Sequence, residues 1–167
     1  MVDGFVHTNL LKRLEVAQDR YHLALQANPN NPLAWLLMGT LHAFMGNGEI
    51  AVRNTERARR LTPLDPHKYY YESLSATACL AAHQYEHALE LADSSLRVNR
   101  NKTSTLRAKA VAEFQLGRRD AARATAQELL KREPNFTVSS WLSRSPSADY
   151  PIGAFWAGIF RELGVPG

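Results

Sequence analysis

The chain has 167 residues, 45% of them hydrophobic and 22% charged, with one cysteine and a formal net charge of +4. Those values describe an ordinary globular chain of one domain, and they exclude a disordered chain or a disulfide framework. The charge is uneven: residues 1–50 sum to −1, residues 51–140 to +5, and residues 141–167 to zero.

Helical periodicity predicts nine or ten helices, at about 5–13, 14–27, 32–45, 49–61, 67–82, 85–98, 103–116, 119–131, 135–143 and 151–163. No segment alternates apolar and polar residues long enough to make a strand. The class expected is therefore all-α. Asn31-Pro32 and Asp65-Pro66 each set a capping residue before a first-turn proline. The longest apolar stretch, Pro151 to Phe160, is half the ~20 residues of a membrane span. The first residues lack the basic and apolar regions of a secretory leader, so a cytoplasmic location is expected.

A small-residue spacing repeats along the chain. Ala17, Tyr21, Ala24 and Pro29 are followed thirty-four residues later by Ala51, Thr55, Ala58 and Pro63. Ala88, Ala92, Ser95 and Arg100 come after a step of thirty-seven, then Ala122, Ala126, Leu129 and Pro134 after another thirty-four. Small residues four and seven apart lie on one helical face and admit a partner helix at close range. Upstream, Trp35, Gly39 and His42 share a face, and Gly46-Asn47-Gly48 breaks the helix after them. Gly117 marks the same break later, and His83-Gln84 stands there without a glycine. The three additional residues of the longer step belong to the lead-in around Leu64 to Tyr71.

On these residues the chain resembles a tetratricopeptide (TPR) repeat protein. The family's pattern is Trp-x2-Leu-Gly-x2-Tyr, then Ala-x3-Phe, then Pro, and Trp35, Met38, Gly39, His42, Gly46, Ala51, Ala58 and Pro63 follow it. The resemblance covers residues 14–134. Departures are Arg100 for proline, Glu72 and Leu106 for the first-helix aromatic, and Thr55 for that of the second helix. It implies a right-handed superhelix of antiparallel helix pairs over residues 1–134, closed by capping helices over 135–167 of the same domain. A shorter likeness lies in Ser143-Arg144-Ser145-Pro146 and Leu163-Gly164-Val165-Pro166-Gly167. This stretch is similar to the end of the TPR regions attached to bacterial adenylate/guanylate cyclase-like proteins and winged-helix regulators. That likeness implies a C-terminal fragment whose catalytic or DNA-binding part lies elsewhere.

Chemistry is sparse. Cys79, His83 and His87 have a spacing at which one helix can share a metal, but the helix should end near His83, so a buried thiol and two turn histidines are the plainer expectation. No metal and no cofactor is expected. Arg53, Arg57 and Arg60 form a basic helical row suited to phosphates. Glu56 lies among them and no aromatic residue interleaves for stacking on bases, which disfavours nucleic acid. No nucleophile motif or phosphate loop occurs, so the chain is read as non-catalytic.

The function implied by the resemblance is a protein-interaction or regulatory scaffold that binds a peptide or partner domain in its concave groove. The groove residues expected are Leu36, Thr40 and Phe44, then Tyr70, Ser73 and Thr77, with Arg107, Val111 and Phe114. Leu36 and Thr40 stand where chaperone-binding relatives carry their clamp Lys and Asn, so that function does not transfer. Two alternatives remain: a small-ligand sensory domain, and nucleic-acid binding through the basic row. The groove is either open or covered by the superhelix and the C-terminal helix. In residues 150–163, Ile152, Phe155, Trp156, Ile159 and Leu163 make one apolar face, expected against helix 119–131. Phe160 falls on the other side, where a second copy of the chain or a missing domain of its parent protein could dock.

Overall fold

A computed structural model describes residues 1–167 as ten helices and no strand. They are α1 (Val2–Asn9), α2 (Leu14–Ala27), α3 (Pro32–Phe44), α4 (Gly48–Arg60), α5 (Lys68–Ala81), α6 (Tyr85–Val98), α7 (Thr103–Gln115), α8 (Arg119–Arg132), α9 (Val138–Arg144) and α10 (Pro151–Glu162). Consecutive helices pair as antiparallel hairpins. The odd-numbered helices α3, α5 and α7 also pack on one another, which makes them the inner layer, with α4, α6 and α8 outside. No helix is long and apolar enough to cross a membrane.

The repeat spacing is explained by contact. Ala17, Ala51, Ala58, Ala88, Ala92 and Ala122 are wholly buried where helices meet. A Cβ on Gly39 would lie 2.6 Å from Thr55 Cγ2 and 2.8 Å from the Ala51 carbonyl oxygen. Only glycine lets α3 and α4 come this close.

The hairpin turns share one device. Gly46 and Gly117 adopt φ of +81° and +75°, and His83 takes φ +59° at the equivalent place. Each allows a backbone N–H beyond the turn to reach back to the helix: Asn47 to His42 O, Gln84 to Cys79 O, Arg118 to Glu113 O, at 2.8 to 2.9 Å. This closes helix ends that would otherwise leave carbonyls unpaired. Lys12, at φ 51°, ends α1 in the same manner, with Arg13 N bonded to His7 O. That early closure is why α1 stops at Asn9 rather than near residue 13.

Asn31 caps α3 as expected, its Oδ1 accepting from Ala34 N at 3.1 Å. Asp65 acts differently: its Oδ1 accepts from His67 N at 2.7 Å, which forms a turn before α5. The α4–α5 connection, residues 61–67, is three residues longer than 28–31 or 99–102, which accounts for the longer repeat step.

The core is nearly continuous. A large cluster runs from Ala43 in α3 to Val165 behind α10, and a smaller one joins α2 and α3 through Leu14, Tyr21, Met38 and Leu41. At the C-terminal end, α10 is rotated from the expected facing. Phe160 is 1% exposed and Phe155 43%. The cause is an aromatic nest: Phe160 meets Phe136 and Trp141 edge-on, with ring centroids 6.1 and 5.1 Å apart. α10 accordingly packs on α7 and α9, and reaches α8 at the Arg119–Glu162 ion pair. Gly164 (φ +83°) turns the tail, Val165 N bonds to Phe160 O, and Pro166 O accepts from Val138 N at 2.8 Å. The Leu-Gly-Val-Pro ending is therefore a helix stop that also clasps the start of α9.

Candidate functional site: a strapped concave cavity

The concave side is built from α3, α5 and α7, and it is not an open strip. After α9 the chain crosses the groove as residues 145–150, a strap that reaches the first hairpin. Lys12 Nζ donates to the Ser143 carbonyl oxygen, and Tyr150 packs on the α2–α3 core cluster. Within the strap Ser145 and Ser147 are buried and pair through their hydroxyls at 2.8 Å. Gly153 holds its far end, because a Cβ there would fall 2.1 Å from the Ser147 carbonyl oxygen.

Beneath the strap lies a cavity of about 440 Å³. Its floor is Phe44 of α3, Leu74, Thr77 and Leu80 of α5, and Ser104, Arg107 and Val111 of α7. Its roof is Trp141, Arg144, Ser145, Pro146, Trp156 and Phe160, with Asn9 and Glu133 at the sides. The size falls within the ~300–1,000 Å³ common for ligand pockets.

Arg107 dominates the electrostatics. Burial draws its guanidinium below the ordinary arginine value, and Glu133 works in the opposite direction. Nη1 faces both Glu133 carboxylate oxygens at 3.4 and 3.5 Å, and the guanidinium carbon lies 5.6 Å from the Phe136 ring centroid. Lys102 sits 4.8 Å over the Tyr70 ring, and burial, then the nearby Arg107 charge, lowers its pKa.

The expected groove residues divide. Phe44, Tyr70, Thr77 and Arg107 are partly exposed, whereas Leu36, Thr40, Ser73, Val111 and Phe114 are buried. Leu36 belongs to a separate contact with Ala58 and Tyr71. Thr40 is turned to its own helix, donating to Leu36 O at 2.9 Å. Ser73 accepts from Thr105 at 2.8 Å and joins α5 to α7. The Phe114 ring is capped by the Arg119 guanidinium, 3.6 Å from its centroid. Phe44, Thr77, Arg107 and Val111 are the ones brought together at the cavity. Glu133, Arg144, Ser145 and Trp156 join them there and are absent from the sequence-based expectation. Each comes from the segment after α8, and the only signal for it is the Ser143-Arg144-Ser145-Pro146 stretch, whose position across the groove no periodicity encodes.

The other candidates remain dispersed. Arg53, Arg57 and Arg60 are exposed on α4; Arg60 pairs with Glu56 at 3.2 Å, and Arg57 lies 5.9 Å from the Trp35 ring. Cys79 is buried, which pushes its thiol up to about 12. His83 bonds to the Tyr85 hydroxyl at 2.7 Å and His87 to Glu90 at 3.4 Å, so the three do not converge. Nowhere do three His, Cys, Asp or Glu side chains gather to hold a metal.

No protein-family model matches the chain, and no curated protein matches it significantly in sequence. Solved structures do match in fold. TTC0263, a thermophilic TPR protein in Thermus thermophilus, superposes with a TM-score of 0.66 at 21% identity, over 92% of this chain and 80% of that one. YrrB, a TPR protein with an unusual peptide-binding site, gives 0.59 at 16% identity over 96% and 80%. MamA gives 0.61 at 15% over 90% and 88%. The fold is an all-α TPR superhelix.

Proposed function

We propose that the chain is a non-catalytic interaction module, a helical-repeat scaffold whose ligand site is the strapped concave cavity. The observation that carries this reading is the strap itself. Crossing from α9 to the first hairpin, it leaves a bounded space of about 440 Å³ in place of an open strip. A long amphipathic helix laid along the groove would need Leu36, Thr40, Ser73, Val111 and Phe114 uncovered, and all five are buried. The occupant is therefore compact: a small ligand, or a short segment presented by a protein partner. Similarity to YrrB, a protein with a peptide-binding site, supports the second source.

The strapped cavity also favours the regulatory version of this function over a passive scaffold. A ligand beneath the strap touches residues of α9 and α10, whose outer surface, with Phe155 exposed, is what an attached domain or a second copy would meet. A sensory domain of a bacterial cyclase-like protein or transcriptional regulator is the setting this suits.

Thermal-shift titration with short peptides, compact amphipathic compounds and a long amphipathic helical peptide tests the proposal. Compact ligands should raise the melting temperature of the intact chain, and Arg107→Glu should abolish the effect. A long helical peptide that stabilises the intact chain equally well would overturn it.

A further inference from the structure

We propose that the cavity takes a compact amphipathic acid, with its carboxylate held between Arg107 and Arg144 and its apolar body against Phe44, Leu74 and Trp141. The inference rests on the cavity being the ligand site and goes on to name the class of ligand.

Charge decides the class. Arg107 and Arg144 line the cavity, the charge of Lys102 acts in the same region, and Glu133 is the single carboxylate in the wall. Glu133 is committed to Arg107, at distances long for a charge-assisted pair. Arg144 has no acidic partner; its Nε donates to the Ser140 carbonyl oxygen at 3.1 Å. Lys102 is likewise without one, its ammonium resting on the Tyr70 ring. Arg107 and Arg144 line the same cavity, one from its floor and one from its roof, and the charge of Arg144 acts on Arg107. Two cations facing one cavity, the Arg107 guanidinium partly desolvated and only one carboxylate between them, gain from an entering anion.

The rest of the wall decides the body. Ser145 and Thr77 already have partners, so the cavity offers few free hydroxyls to a sugar or polyol. Leu74, Leu80, Val111 and the ring systems above them are apolar. An inorganic anion would leave that surface unfilled, whereas an aliphatic or aromatic tail covers it.

The test titrates matched acids and primary amides, from butyrate to phenylbutyrate, calorimetrically into the intact chain. At least one acid should bind, roughly tenfold or more tightly than its amide, the difference expected for a charge-assisted bond. Added salt should weaken the acid alone. Arg144→Gln, at an exposed position closing a short helix, should remove most of the preference while leaving the circular-dichroism spectrum unchanged. Thr77→Phe, which fills the cavity, should remove binding altogether. Acid and amide binding equally, and both lost in Thr77→Phe, would keep the cavity as the ligand site and overturn the anion assignment. Acid binding that survives Thr77→Phe would place the anion on outer arginines and overturn it as well. Failure of every acid to bind would also overturn it, while the short-peptide titration separately decides the cavity.

Discussion

At the N-terminal end of the array α1, α2 and the turn between them leave Val2, Phe5, Leu10, Leu11 and Leu23 in solvent, whereas at the C-terminal end Phe136, Trp156 and Phe160 are packed away. Both ends lack a neighbouring repeat to cover one side of a hairpin. The first hairpin turns inward instead: Tyr21 is fully buried, and its hydroxyl meets Thr8 at 3.2 Å. The last hairpin is covered by a folded-back pair of short helices held by edge-on aromatics and one backbone bond at the tail. Covering a solenoid end thus depends on where bulk is placed, since neither end is short of apolar residues.

The largest expected effect contrasts the two ends directly. Phe160→Ala should cost ~3–5 kcal/mol, because it empties a buried aromatic nest. Phe5→Ala should stay within ~0.5 kcal/mol, as for an exposed position. Urea melts of both would erase the contrast if the two midpoints moved alike. Next in size is the shared middle of the array, which should respond as neither end does. Gly39→Leu and Ala51→Phe force bulk between α3 and α4, with an expected cost of ~1–3 kcal/mol or more. Thermal melts equal to the parent chain would show that the hairpin register is wrong.

The smallest effect is a matter of pH. Glu113, buried on α7, has its pKa raised by desolvation, opposed by the Thr125 hydroxyl at 2.7 Å and by Lys109. A carboxyl whose folded value is raised favours the folded state in its protonated form. Its contribution is complete below the unfolded value, near 4.5, and is lost as pH rises through the folded value. Glu113→Gln should therefore flatten the pH dependence of stability above that value. The change near neutrality should be smaller than either contrast above. An unaltered pH profile would remove Glu113 from the account.

What the sequence makes legible is what neighbouring turns of helix encode. Gly39, Ala51, Ala58 and Ala122 mark the close approaches because small side chains are needed there and recur at helical spacing. The turn at His83 is legible by position alone, since its left-handed backbone has no glycine to announce it. The facing of α10 is not legible, because Phe136 and Trp141, which draw Phe160 inward, lie in another segment and carry no phase relation to it. Leu36 is expected in the groove because helical phase cannot tell a concave side from the seam where Tyr71 folds onto Ala58. The cavity roof is hidden for the same reason: Lys12 and Ser143 meet only once four hairpins have stacked.

That meeting changes the mechanics of the molecule. A repeat array ordinarily passes force only from neighbour to neighbour, like a row of coupled springs with free ends. A bond between residues 131 positions apart turns the row into a ring. Ring closure joins distant parts of the chain, so it comes late in folding, after the local hairpins. It is held by one ammonium, one tyrosine and a few serines.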